Sequence, residues 1–361
     1  MSVVLIPTLN PEVKLLDYIN ELKNSGFKNV IIVNDGSEQN TQYIFDEILK
    51  LEDRQFEVTI LNHVVNLGKG RALKNGINYY LAHLKDKYQG CCGLITVDSD
   101  GQHLIKDVQQ LKQRLEKTYL GGGIILGCRD FCQENVPFKS RYGNNITKVV
   151  FRLFFGRNIS DTQTGLRAFS NKSLFQLIDL YGERFEYETN VLIACVDQGI
   201  PIEELTIETI YENGNKSTHF NPIKDSIKIY RLLLARFLRY IVASFSASIV
   251  DLMIFVLLCS SISEENTLRI YIATIGARVI SSIYNYIINK NVVFQYKKES
   301  FRTATQYFIL CILVMFVSGF CVNSLYRILG HFELLIKCIV DGILFCCNYF
   351  IQQKIIFRRN F

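Results

Sequence analysis

The sequence predicts an α/β domain on a mostly parallel sheet, followed by an all-α membrane domain of four helices. Three observations carry that reading. Short apolar runs alternate with amphipathic stretches through the first half of the chain. Polar residues recur directly behind those runs. From Tyr240 onward the chain turns into long apolar stretches, each near the length that crosses a bilayer.

Strands are expected at 3–6, 30–33, 56–61, 94–97 and 124–126, with helices at 12–22, 41–51, 71–84 and 108–115. Such alternation indicates βαβ units, whose right-handed crossovers leave ligands at the carboxyl ends of the strands. Pro7, Asp35, Asn66 and Asp98 each follow a strand and should gather along one edge. Pro11 reads equally as the first residue of a helix, with Asn10 as its N-cap. After Asp130 the pattern is irregular, with one further strand-like run at 202–210.

Residues 224–239 set Lys224, Lys228, Arg231, Arg236 and Arg239 among apolar neighbours. A basic, apolar segment of this kind reads as a helix on an anionic membrane surface, each cation contributing roughly 1 kcal/mol. A basic helix packed on the soluble domain is the plainer alternative. The apolar stretches fall near 240–262, 271–294, 307–329 and 334–356. This divides the chain into a domain at 1–223, a juxtamembrane helix at 224–239 and a membrane domain at 240–361. Arg236 and Arg239 precede the first span, Lys290, Lys297, Lys298 and Arg302 join the second to the third, and Lys354, Arg358 and Arg359 follow the fourth. That bias predicts a multi-pass protein with the soluble domain and both termini in the cytoplasm. Polar faces recur inside the spans: Ser244, Ser248 and Asp251; Arg278, Ser282, Asn285 and Asn289; Asp341, Asn348 and Gln352. Ionisable groups at this depth are costly unless they pair or face a wet groove. They fit either lipid handling or a pair between Arg278 and one of the two aspartates that holds the bundle together.

Composition excludes several classes. A net charge of +6 over 361 residues is too mild to indicate nucleic acid as a partner. The 11 cysteines lack paired Cys-x-x-Cys spacing with His, so zinc is not expected, and a reduced, cytosol-facing domain fits better than a disulfide scaffold. The apolar run at 3–6 is too short for a secretory signal and ends at Pro7.

The run Thr96-Val97-Asp98-Ser99-Asp100-Gly101-Gln102-His103 is the most informative. Two carboxylates at alternate positions, where a buried strand ends, can reach one hard divalent cation. A cation held by so few protein groups keeps positions for phosphate oxygens. Asp-x-Asp alone is common in acidic turns, and its neighbours decide its meaning.

Those neighbours are Pro7-Thr8-Leu9-Asn10-Pro11-Glu12, Asn34-Asp35-Gly36-Ser37, Asn66-Leu67-Gly68-Lys69-Gly70-Arg71-Ala72, Gly127-Cys128-Arg129 and Asp161-Thr162-Gln163-Thr164-Gly165-Leu166-Arg167. In this order they resemble the motifs of family-2 glycosyltransferases of the GT-A (Rossmann-like) fold, in particular the dolichol- and polyprenyl-phosphate hexosyltransferases. The C-terminal spans resemble GtrA-like membrane domains. The resemblance implies transfer of glucose or mannose from a nucleoside-diphosphate sugar, UDP-glucose or GDP-mannose, to polyprenyl or dolichyl phosphate, with inversion. It implies Pro7, Glu12, Asp35, Gly68, Lys69 and Asp98 around the donor, and Asp100 and Gln102 on Mg2+ or Mn2+. It implies Arg129 and Arg141, with Lys216 and Ser217, around the acceptor phosphate; Asp100, Arg129 and Arg141 are the expected catalytic residues. Glu186 and Glu188 lie where the family closes its site, and His103 is expected to face solvent. Membrane lipids are implied partners, and a homo-oligomer is left open.

Three rivals follow. Processive polysaccharide synthases share this domain but hold their product with a Gln-x-x-Arg-Trp motif, and the chain contains no Trp. Translocation of lipid-linked sugar by the membrane domain, and a purely anchoring role for it, stay open.

Overall fold

The computed structural model describes residues 1–87, 90–118, 122–131, 138–208, 224–261, 269–296, 301–329 and 333–357. Alternation begins at once: β1 (Ser2–Thr8), α1 (Lys14–Asn24), β2 (Asn29–Asn34), α2 (Gln42–Leu49), β3 (Glu57–Asn62), α3 (Lys69–Tyr79) and β4 (Gly93–Thr96). It continues through α4 (Ile105–Thr118), β5 (Ile124–Arg129), α5 (Phe138–Phe155), β6 (Arg167–Ser170), α6 (Asn171–Leu177), α7 (Glu186–Gln198) and β7 (Ile202–Ile207). The helices α8 (Lys224–Ser261), α9 (Arg269–Ile288), α10 (Phe301–Leu329) and α11 (Glu333–Ile351) follow. The chain divides into two units, Met1–Leu232 and Leu233–Phe361.

In the first unit seven strands form one sheet in the order β3-β2-β1-β4-β6-β5-β7. All pairs are parallel except those of β6, which runs antiparallel between β4 and β5. Leu15, Ile19 and Leu22 of α1, Ile44 and Ile48 of α2, and Val108, Leu111 and Leu115 of α4 share one core with Val4, Ile6 and Ile32. The helix α3 lies on the other face, where Gly76 abuts Leu5. Connections on opposite faces make the β1–β4 gap the crevice in which such sheets bind ligands. Pairing of these strands stops at Leu5–Thr96, so Pro7, whose nitrogen has no hydrogen to give, comes after the last rung.

Two local readings need correction. The first helix starts at Lys14 with Val13 before it, and Asn10 is not its cap. Asn10 instead adopts a left-handed φ of 49°. Its N–H donates to Ser37 Oγ and its Oδ1 accepts from Glu38 N–H, both at 2.8 Å, tying the loops after β1 and β2 together. The strand β6 begins at Arg167, the last residue of the motif at 161–167, in a stretch that reads as irregular in the sequence. Because β6 is antiparallel, its first residue, Arg167, sits level with Thr96 and Leu126 near the ends of β4 and β5.

Arg167 is 2% exposed. Its guanidinium donates to the carbonyls of Thr164 and Glu188 at 2.8 Å and of Thr162 at 3.4 Å. One buried fork thus shapes the loop before β6. Arg167→Met keeps much of the volume but strands three acceptors, and should lower the unfolding free energy by about 2–4 kcal/mol. Chemical denaturation of the full chain, followed through the first unit's far-UV signal, measures this.

Among the described residues, three helices are long and apolar enough to cross a membrane: Ile227–Ser261 (which begins in the first unit), Phe301–Ile328 and Glu333–Ile356. The second expected span corresponds to α9, where Arg278, Asn285 and several tyrosines dilute the apolar character. Helices α9 and α11 each end in a π turn, Asn289–Val293 and Gln352–Ile356. Asn289 and Gln352 at the heads of those turns are buried and hydrogen-bonded at 3.1 Å. Hydrogen bonds of this kind join helices in lipid. Tyr240, Phe345 and Tyr349 pack beside them, with ring centroids about 5 Å apart. Asp251 accepts from Ser281 at 2.7 Å and lies 3.6 Å from Arg278. Asp341 pairs with Lys337 at 2.9 Å and accepts from Ser318 at 2.6 Å, so its cation is not Arg278.

Candidate functional site

The strand ends decide what meets. Asp98 follows β4, Arg129 ends β5, and the loop at 161–166 enters antiparallel β6 between them. All three therefore come to one edge of the sheet. Gly165 carries no side chain there because a Cβ would collide with the Asp98 carboxylate. The Thr96 hydroxyl donates to Gly165 O at 2.8 Å and the Thr164 hydroxyl to Gly127 O at 2.6 Å, fixing that backbone.

Lys69, at the start of α3, places its ammonium 2.7 Å from Asp98 and 3.1 Å from Glu188 of α7. Its Nζ also lies over the Phe185 ring. Burial would lower its pKa, but Asp98 and Glu188 outweigh burial and hold the ammonium above its ordinary value. For Asp98 the balance is similar: burial pushes its pKa up, while Lys69 and then His103 pull it well below the usual carboxylate range. Asp100 lacks such a cation at hand. Its Oδ1 accepts from Gln102 N–H at 3.1 Å, and burial together with the charge of Asp98 raises its pKa. Two neighbouring carboxylates are thus driven apart, a pattern that marks functional sites.

His103 corrects an expectation. Rather than facing solvent it is 5% exposed, with Nε2 3.5 Å from Asp98 and Nδ1 buried without a hydrogen-bond partner. Among the described residues, no three His, Cys, Asp or Glu side chains converge as a ready-made metal cage.

Asp35 is 4% exposed and organises the adjoining loop. Its Oδ1 accepts from Leu67 N–H at 2.9 Å and its Oδ2 from Gly68 N–H at 2.8 Å. His63 Nδ1 lies 2.7 Å from Oδ1, and Asn75 Nδ2 2.8 Å from His63 Nε2. The ring thus bridges the Asp35 carboxylate and the Asn75 amide. Gly68, expected around the donor, takes a φ of 104° at the head of α3, with Gly70 two residues on. Here a Cβ at either would strike the segment at 183–187, so the close approach is made by the chain itself. Pro7 is buried within β1, and Glu12 is exposed ahead of α1.

Arg129 is clamped by Asp161, which is fully buried: Nε lies 2.6 Å from Oδ2 and Nη2 3.0 Å from Oδ1. The Arg129 guanidinium also lies over Phe131. Arg141 sits, partly buried, early on α5. Lys216 and Ser217 fall outside the described residues. His63, Asn75 and Asp161 carry no role in the reading of the sequence. His63 directly follows β3 and shares the signal that singled out Asp35, whereas Asp161 meets Arg129 only through β6.

Against known proteins, residues 3–177 match the family model described as glycosyl transferase family 2, and residues 239–357 the GtrA/DPMS transmembrane domain. An uncharacterised protein of Methanocaldococcus jannaschii is 31% identical over 237 residues, 64% of this chain and 91% of the relative. The UDP-N-acetylglucosamine–dolichyl-phosphate N-acetylglucosaminyltransferase of Methanococcus voltae is 31% identical over 247 residues, 64% of this chain and 95% of the relative. A dolichyl-phosphate beta-glucosyltransferase of Trichomonas vaginalis is 22% identical over 245 residues, 63% of this chain and 71% of the relative. With the parallel sheet, the Asp98–Asp100 edge and the apolar helices already in view, these matches make the chain a membrane protein of glycosyl transferase family 2 with a GtrA/DPMS transmembrane domain.

Proposed function

We propose that the protein moves a hexose or N-acetylhexosamine from a nucleoside diphosphate to polyprenyl or dolichyl phosphate, with inversion, at the cytoplasmic face of a membrane. The observation that carries this is the shared sheet edge. It sets a half-buried carboxylate pair beside Lys69 and an Arg fork, in a chain whose second part is a lipid-embedded domain. The named relatives act on dolichyl phosphate, and N-acetylglucosamine joins glucose and mannose among donors to be tried.

The nucleophile would be a phosphate oxygen, largely ionised at neutral pH given a second pKa of about 6, so no strong general base is needed. Positioning then dominates. Arg129, aligned by Asp161, would face the acceptor phosphate together with Arg141. Lys69 would face the donor's phosphates. Asp98 and Asp100 would fit a divalent cation, because burial and the charge of Asp98 both disfavour an ionised Asp100 and few protein ligands are needed where phosphates complete the shell. Held by Asp100 and Gln102, Mg2+ or Mn2+ would neutralise the departing diphosphate. In this reading the division at 223 and 239, four spans and cytoplasmic termini also hold. Translocation by the second unit has no observation of its own, since Asp251 and Asp341 each have a cation within the unit.

Membranes containing the full chain, given a panel of labelled nucleotide sugars, should yield lipid-soluble label from one of them. Label from none would overturn the reading. Arg129→Ala would strand the buried Asp161 carboxylate, so Arg129→Lys is the better probe: it keeps the charge and loses the fork. It should raise the acceptor KM about tenfold with a smaller change in donor KM. The reverse pattern would move Arg129 to the donor side.

A further inference from the structure

The second unit is built twice from one pattern. Asn285-Tyr286-Ile287-Ile288-Asn289 leads to Val292-Val293-Phe294 at the end of α9. At the same spacing, Asn348-Tyr349-Phe350-Ile351-Gln352 leads to Ile355-Ile356-Phe357 at the end of α11. Each run passes into a π turn at the same point, Asn289–Val293 and Gln352–Ile356. The helices α8 and α10 match as well, with Tyr240 and Tyr307 at corresponding positions and both 1% exposed. Repeats of this kind stack equivalent elements against one another.

The contacts obey the repeat. Tyr240 of the first hairpin packs on Tyr349 of the second with ring centroids 5.2 Å apart, and Tyr307 of the second on Tyr286 of the first at 5.3 Å. Asp251 on α8 meets Arg278 on α9 at 3.6 Å; the matching positions, Ser318 on α10 and Asp341 on α11, are hydrogen-bonded at 2.6 Å. Two pairs join a residue to its own counterpart. Asn289 bonds Gln352 at 3.1 Å, and Phe294 stacks on Phe357 with centroids 5.0 Å apart. Self-paired positions mark a twofold axis, so α8–α9 and α10–α11 are equivalent hairpins around it.

The hydrogen bonds on that axis do not share its symmetry. Asn289 donates to Gln352, and Gln352 donates one turn back to Asn348 Oδ1 at 3.2 Å. The Oδ1 atoms of Asn289 and Asn285 are left buried without a hydrogen-bond partner. Such acceptors are costly away from water. Turned about the axis, the same relay would run from Gln352 to Asn289 to Asn285. It would satisfy those two oxygens and release the ones on Gln352 and Asn348. Both arrangements hold the same number of hydrogen bonds between the same kinds of amide.

We propose that these four amides form a two-state polar lock between equivalent hairpins, closing toward Asn348 or toward Asn285 at nearly equal free energy. An element with two such states is what a ligand of the membrane domain can bias. The π turns fit this role, since they interrupt helices most often at functional sites. The lock goes beyond sugar transfer and does not depend on it.

A double-mutant cycle tests it, on the full chain in mild-detergent micelles unfolded by titration with dodecyl sulfate. The chain has no tryptophan, so Phe308→Trp, half-buried beside Tyr286 and Tyr307, reports from the second unit in every variant. Phe350→Trp, next to Tyr349, serves where that reporter does not fold. Asn285→Leu and Asn348→Leu each remove one direction and leave the other, so each should change the folding equilibrium by no more than about threefold. Together they remove both, and the loss should exceed the product of the single effects about tenfold. A double variant that does not fold, where both singles do, counts the same way. A lock with one direction predicts instead that Asn348→Leu carries the whole loss and Asn285→Leu none, the effects simply multiplying. That result, three unchanged equilibria, or failure of either single variant to fold would overturn the proposal. Exchanging the axial amides, Asn289→Gln with Gln352→Asn, checks the axis itself. Equivalent positions should tolerate the exchange within about threefold, and a loss beyond about tenfold would overturn the twofold.

Discussion

Asp100→Ala should lower sugar transfer about a hundredfold or more, with the unfolding midpoint unchanged or raised. The two halves of this result have one cause. Burial and the charge of Asp98 raise the Asp100 pKa, and one backbone N–H, from Gln102, is the hydrogen bond it receives. A carboxyl group whose folded pKa exceeds its unfolded value adds stability that is full in acid and is lost as pH rises through the raised value. At neutral pH the ionised group gives the fold nothing that alanine would remove. A charge kept against the fold's preference points to function. Purified full-length protein, assayed for turnover and for thermal unfolding, separates the cases. Wild-type turnover would remove Asp100 from the chemistry, whereas a lowered midpoint would make it a structural group.

The parallel half of the sheet was legible because each helix there buries one periodic stripe, such as Leu15, Ile19 and Leu22, against strands apolar throughout. The antiparallel insertion was not. β6 has four residues and opens on Arg167, a residue that ordinarily argues against a buried strand. Arg167 is tolerated inside because its fork is matched by main-chain carbonyls, a pairing that depends on the loop at 162–164 and on α7. The spans in α8, α10 and α11 were legible by length and composition.

The site was legible in its parts and not in its pairings. Periodicity puts Asp35, Lys69 and Asp98 at strand or helix ends, but says nothing of what each touches. Lys69, expected around the donor, bridges Asp98 and Glu188. Asp35, expected around the donor, holds the backbone of Leu67 and Gly68 with His63 behind it. Both pairings join elements far apart in sequence, and only the sheet order brings them together. His103 was misjudged because a loop position after two aspartates suggests water, whereas its ring lies buried against Asp98.

Gly165→Ala tests the pairing that organises the edge. Its φ is not among the positive ones, so an added methyl brings no backbone strain, only a collision with Asp98. The backbone cannot easily withdraw, since Thr96 bonds Gly165 O and Thr164 bonds Gly127 O. Asp98 must move instead, and its 2.7 Å contact with Lys69 is lost. Transfer should fall about a hundredfold, the scale of a misplacement near 1 Å, and stability by about 1–3 kcal/mol from overpacking. The collision predicts coupling: on an Asp98→Ala background the same methyl should cost little stability, because the group it strikes is gone. Additive losses in that cycle, or wild-type turnover in Gly165→Ala, would show that the carboxylate does not rest on Gly165 in the working protein.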